Sequence, residues 1–198
     1  MIKDLGKILK NEAEKYLSLG WSIIPIGEEK TPIISWKKYQ TELPTQEEID
    51  EWFKNESIKG IAVITGKFSN IIVLDIESIN TFLDLQKRYT IPITPISKTS
   101  RGYHLFFSHP NIPEISHIQE LLPQIELKSG NSPITLPPSI HPDGTQYAWL
   151  PQRSIFEVNP APLPEWIMEL ISKNASNKSS KLASIITGVS SGTRDSSA

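Results

Sequence analysis

Ile71-Ile72-Val73-Leu74-Asp75-Ile76-Glu77 is an apolar run that ends in two carboxylates. Side chains alternate between the two faces of a strand. Ile72, Leu74 and Ile76 then share one face, and Ile71, Val73, Asp75 and Glu77 share the other. Acids at i and i+2 point the same way, a few ångströms apart. Such a pair repels unless a cation or a proton sits between them. The stretch is therefore either a buried strand running out into a solvated loop or a strand whose end is built to hold positive charge.

The flanking sequence supplies the rest of a sheet. Upstream, residues 60–66 read as a strand closed by a glycine turn, and residues 21–26 as another strand. Residues 2–19 carry Leu5, Ile8, Leu9, Ala13, Tyr16 and Leu17 at helical spacing, with Gly20 as the stop. Thr45 with Glu48 three residues on is a capping box for a helix reaching Phe53, with Ile49, Trp52 and Phe53 inward. Trp36 and Tyr39 are expected to pack under the loop at 27–32.

Downstream, residues 79–89 have helical spacing through Ile79, Phe82, Leu83 and Leu85. Prolines hold 91–95 extended, and a strand is expected at 96–99. Ser100-Arg101-Gly102 is a tight turn into Tyr103-His104-Leu105-Phe106-Phe107, a strand with His104 and Phe106 on one face. Residues 110–123 read as irregular or weakly helical. Residues 124–128 alternate, with Glu126 and Lys128 together, and further strands are expected at 134–136 and 147–149. A closing helix starts at Pro164, and residues 173–181 read as a polar linker. The sum is a mixed α/β (α+β) domain over 1–172, with seven to nine short strands, about four helices and no internal repeat.

Composition narrows the function classes. The chain has no cysteine, which excludes thiolate zinc sites, cysteine nucleophiles and disulfides. Its net charge is −2, so any nucleic-acid site must be a local basic patch. The N-terminus is too charged for a signal peptide, and no apolar run is long enough to span a bilayer. A soluble, cytoplasmic protein without membrane attachment is expected.

Four features can converge into a site. They are Asp75 with Glu77, the possible third acid Glu126, the Ser100-Arg101-Gly102 turn with His104, and the lysines Lys30, Lys98 and Lys128. Three acids suit a pair of Mg²⁺ ions, which take oxygen ligands and share their shells with phosphate. A glycine turn with Arg and His beside it offers amides and charge to an anion. His109, His117 and His141 show no ligand-like spacing.

In their order these motifs resemble the bifunctional primase–polymerase (prim-pol) domain of the archaeo-eukaryotic primase superfamily. Residues 20–26 with Lys30-Thr31-Pro32 and Trp36 are similar to the family's opening, and Trp52-Phe53 with residues 60–66 to its next segment. Asp75-Ile76-Glu77 stands where the family carries its D-x-D or D-x-E motif. Residues 99–107 are similar to its T-x-x-G-x-H strand, and Pro137-Pro138-Ser139 with His141, Gly144, Tyr147 and Trp149 to its closing P-P-S motif. Two departures stand out: Glu126 replaces the commoner Asp, and Arg101 replaces a small turn residue.

The resemblance implies a prim-pol fold of mixed sheets with an RRM-like catalytic half. It also implies template-directed nucleotidyl transfer as a DNA primase/polymerase. Asp75, Glu77 and Glu126 would be catalytic and hold two Mg²⁺ or Mn²⁺ ions. Ser100, Arg101, Gly102, His104, Lys128 and Ser139 would bind the nucleotide, and Lys30 and Lys98 the template or phosphates. The partners would be single-stranded or primer–template DNA, a dNTP or NTP, and a helicase in cis or in trans, in replication of a plasmid, phage or integrated element. Residues 182–198, with Thr187-Gly188-Val189-Ser190-Ser191-Gly192-Thr193-Arg194-Asp195, resemble the start of a truncated primase C-terminal helical module. Two alternatives stand beside this: a PD-(D/E)xK-like nuclease built on Asp75, Glu126 and Lys128, and a non-catalytic DNA-binding domain of the same fold.

Overall fold

The computed structural model describes residues 4–190, with side chains through residue 180. It divides into two compact units, Met1–Leu163 and Pro164–Ala198. In the first, helix α1 (Leu5–Ser18) buries Leu9, Ala13 and Tyr16, which recur at spacings of four and three on one face. Gly20, at φ +78°, turns the chain out of the helix. Strand β1 (Ile23–Ile26) follows. Helix α2 (Gln46–Trp52) opens on the expected capping box: Thr45 Oγ1 accepts from Glu48 N at 3.2 Å, and Glu48 Oε2 from Thr45 N at 2.9 Å.

Strand β2 (Gly60–Ile64) pairs antiparallel with β1 and with β8 (Pro133–Leu136), giving a three-stranded sheet. Its two faces belong to different cores. Ile24, Ile26, Ala62 and Ile64 pack with Tyr39, Ile34 and Trp36 from the segment that follows β1. Ile23, Ile61, Val63, Ile134 and Leu136 face the main core with α1 and α2.

The second sheet is built around β3 (Ile71–Ile76). Its strand order is β6 (Ile118–Leu122), β7 (Ile125–Lys128), β3, β5 (Tyr103–Ser108), β4 (Ile96–Lys98), β9 (Ala148–Trp149), and these neighbours are antiparallel. β10 (Ala161–Pro162) adds a short parallel pairing to β5. Ile71, Val73 and Phe106 turn one face into the main core. On the other face lies α3 (Ile79–Arg88), whose Phe82 ring stands 4.7 Å from that of Tyr103. The chain is thus mixed α/β with four α-helices among the described residues.

Three expectations need correction. Residues 118–122 form β6 rather than irregular chain, since a register shift between Ile118 and Leu122 hides the period-two pattern. Ile79 and Leu83 lie exposed on α3, and only Phe82 and Leu85 are buried there. The stretch at 173–181 is helical within α4 (Glu165–Ser190). Its serines satisfy themselves along the helix: Ser172, Ser176 and Ser180 donate to the carbonyls four residues back, at 2.9–3.0 Å. The end of the module expected at 182–198 lies outside the described residues. Among the described residues, no helix is long and apolar enough to cross a membrane.

Two close contacts hold the first unit together. The buried Tyr16 hydroxyl donates to Pro137 O at 2.7 Å and accepts from Trp149 Nε1 at 3.1 Å. Gly102 meets the end of β3 so closely that a Cβ there would lie 1.9 Å from Ile76 O and 2.8 Å from Ser78 N. Both obstacles are backbone, so neither side can swing away. Gly102→Ala should therefore lower stability by about 1–3 kcal/mol, read as a fall in melting temperature or urea midpoint. Unchanged unfolding would show that the turn has room to spare.

Candidate active site

The register of β3 assembles the site. Asp75 pairs with His104 on β5 and with Glu126 on β7, and His104 pairs with Ser97 on β4. Directly opposed residues share a face. Ser97, His104, Asp75 and Glu126 therefore form one polar rung across four strands, spanning about 15 Å at the usual strand spacing. The adjacent rung on the same face is Lys128, Val73, Phe106, of which Val73 and Phe106 are core. The polar rung thus lies one step out from the packed interior.

Asp75 is 27% exposed at its side chain, and its Oδ1 lies 3.4 Å from Nε2 of the buried His104. Burial pushes its carboxyl up. That is the largest single effect, but His104, Lys128 and Lys30 together outweigh it and hold the carboxyl below its usual range. Glu126 Oε2 is paired with Lys128 Nζ and lies 3.8 Å from His117 Nε2. Glu77 follows the end of β3 and is exposed, its N–H donating to Gln124 O at 3.1 Å. Among the described residues no three His, Cys, Asp or Glu side chains stand together as a ready metal cluster.

His104 is walled by aromatic rings. Phe106 stands edge-on at 6.3 Å, and Tyr147 is tilted at 5.8 Å. The Tyr147 phenol is pushed up to about 12, by burial first and by Asp75 next, against a hydrogen bond with Thr135. Tyr147 N donates to Ser139 O at 2.9 Å, so the segment after β8 carries the ring to the site.

Other expected contributors are placed differently. Ser139 is fully buried, and its hydroxyl accepts from Ile61 N at 2.8 Å and donates to Ile61 O at 3.2 Å. It is a clamp on β2, not a nucleotide contact. The turn amides of Arg101 and Gly102 already donate to Thr99 Oγ1, at 3.3 and 2.9 Å, so they are not open to an anion. Ser100 turns its hydroxyl to Asp143. That carboxyl is held far below its usual range, first by Thr145 N–H at 2.8 Å and then by Ser100. Lys98 pairs with Tyr103, one residue off the polar rung, and so belongs to the opposite face.

Arg101 is exposed, and its charge acts on Tyr147. Exposed Lys30, at φ +58°, is near enough for its charge to act on Asp75. Sequence reasoning did not single out Ser97, and it left His117 without a neighbour. The available signal for Ser97 was a lone hydroxyl at an inward position of the strand Ile96-Ser97-Lys98.

The raised Tyr147 phenol has a sign that can be measured. The unfolded phenol ionises near pH 10, while the folded one stays neutral to about 12. Stability from this group is complete below pH 10 and is lost as pH rises toward 12. Tyr147→Phe should make stability against pH less steep in that window by about one proton, as followed by melting temperature. An unchanged slope would place the phenol in water.

Comparison with known proteins adds the family. No curated relative matches the chain. The family model described as Prim-Pol, bifunctional DNA primase/polymerase, N-terminal, matches residues 13–166, a span that holds every residue of the polar rung. The chain therefore belongs to the Prim-Pol family of bifunctional DNA primase/polymerase N-terminal domains.

Proposed function

We propose that this chain is a template-directed nucleotidyltransferase that adds (d)NTPs to a primer or to an initiating nucleotide, in replication of a plasmid, phage or integrated element. The observation that carries the reading is the rung joining His104, Asp75 and Glu126 on three adjacent strands. Asp75, Glu77 and Glu126 offer carboxylate oxygens, the donors that Mg²⁺ or Mn²⁺ takes. The three fit the group in kind. Asp75 and Glu126 are already neighbours across the sheet, and each is now balanced by a cationic or basic group. Two such ions, when bound, supply the charge neutralisation on which phosphoryl transfer depends.

The chain's own residues do the positioning. His104, buried beside Asp75, meets the nucleotide's triphosphate. Lys128 and Lys30 lower the cost of bringing a polyanion beside Asp75. Arg101, exposed at the turn, adds its charge near Tyr147. The primer 3′-oxygen bonds to the α-phosphorus as the bond to the β-phosphate oxygen breaks, and pyrophosphate leaves. Alignment and charge supply most of the rate.

A labelled primer–template with Mg²⁺ or Mn²⁺ tests this. Extension that requires dNTPs supports the reading, whereas shortening without dNTPs supports a nuclease. Asp75→Asn should lower the rate about 10²–10³-fold with the melting temperature kept, and Glu126→Gln should act in the same direction. Full activity in Glu126→Gln would return that residue to the surface. His104→Ala should raise the KM for nucleotide far more than the Kd for primer–template. Equal losses in both would remove His104 from the triphosphate.

A further inference from the structure

Ser97 and His104 face each other across β4 and β5. Cβ atoms of opposed residues lie about 4.5–5.5 Å apart. Ser97 is fully buried, and its Oγ has no hydrogen-bond partner among the described residues. The same is true of His104 Nδ1. Buried polar atoms are nearly always satisfied, by protein or by an ordered water. Two orphans on directly opposed side chains point to one solution for both.

We propose that Ser97 is a positioning residue for His104: its hydroxyl is linked to His104 Nδ1 across one bridging water, and the link fixes the plane of the imidazole. The chemistry of the ring's other end agrees. Nε2 lies 3.4 Å from Asp75 Oδ1. An ionised carboxylate only accepts, so Nε2 carries the hydrogen, and in the neutral ring Nδ1 is left as an acceptor. A serine hydroxyl or a water can donate to it.

Among the described residues none donates a hydrogen bond to Nδ1. Phe106 packs on one side of the ring, and the Tyr147 hydroxyl is engaged with Thr135. Trp149 pairs with Ser97 from β9, and its ring stands 5.0 Å from that of Phe106. With Asp75 at one nitrogen and Ser97 at the other, the ring can neither flip nor tilt. A ring held at one end only would be free to turn away from a bound phosphate.

The catalytic consequence rests on the nucleotidyltransferase reading, but the hydrogen bond does not, and the test separates them. Long-range proton–nitrogen spectra of the free protein would follow the two ring nitrogens of His104. In Ser97→Ala the Nδ1 resonance should move downfield as it loses its donor, and Ser97→Thr, which keeps the hydroxyl, should restore it. Removing a true orphan hydroxyl would raise the melting temperature, whereas removing a bonded one lowers it. Imidazole resonances that stay in place in Ser97→Ala, or a raised melting temperature, would overturn the proposal.

On nucleotide addition, Ser97→Ala should raise the nucleotide KM about three- to tenfold, the worth of one hydrogen bond. The effect on kcat should be smaller, and Ser97→Thr should recover the KM. A resonance shift without any change in KM would keep the bond and deny its role. A wild-type protein that adds no nucleotide would sink the enzymatic reading and leave the spectra to decide on Ser97.

Discussion

The site depends on the antiparallel register of β3 between β5 and β7. Among the described strands only β3 touches both, and its Asp75 has His104 as a neighbour on one side and Glu126 on the other. A slip of a single residue in either pairing would turn a partner to the opposite face. The apolar rung beside it prevents that slip. Val73 and Phe106 occur two residues from Asp75 and His104, and they fit the core only in the observed register. Core packing and site assembly are therefore one constraint on the same two strands.

The closing segment after β8 makes that constraint three-dimensional. Ser139 fastens to both backbone groups of Ile61, and Pro137 O receives the Tyr16 hydroxyl. From this anchorage the chain delivers Tyr147 against His104 and Trp149 against Ser97. Gly102 does the equivalent on the other side of the rung, letting the turn before β5 touch the end of β3. Residues that look like ligands in a linear motif can therefore be the joints that hold the ligands in place. Ser139 and Gly102 are both of that kind.

Much of this was legible in the chain. Alternation alone puts Asp75 on the face of Val73, His104 with Phe106, and Glu126 with Lys128, and the Thr45–Glu48 capping box marks its helix without help from tertiary contacts. What alternation cannot supply is the partner. Ser139 and Ile61 are far apart in sequence, so nothing local says that the hydroxyl is spent on backbone. The turn amides looked open because Thr99 was read as part of a strand, not as their acceptor. β6 was hidden by a bulge, and the helical run at 173–181 by serines that look solvating but bond back along the helix. The face of Lys98 was within reach, since it follows from placing Ser97 inward.

The position of the polar rung also explains how a chain of net charge −2 can keep a local concentration of basic groups around Asp75. At the next rung inward a carboxylate would be fully desolvated among Val73 and Phe106, a cost that pairing with a histidine rarely offsets. One rung further out it would be screened by water and would lose its grip on His104. At the rim Asp75 keeps its charge, as its lowered carboxyl shows, because His104, Lys128 and Lys30 outweigh the burial. Two of those groups, Lys128 and Lys30, give this end of the sheet positive charge that the overall balance conceals. A field of that range acts at the site and fades within about a Debye length, roughly 8 Å at physiological salt. The acidic remainder of the surface therefore costs the site little.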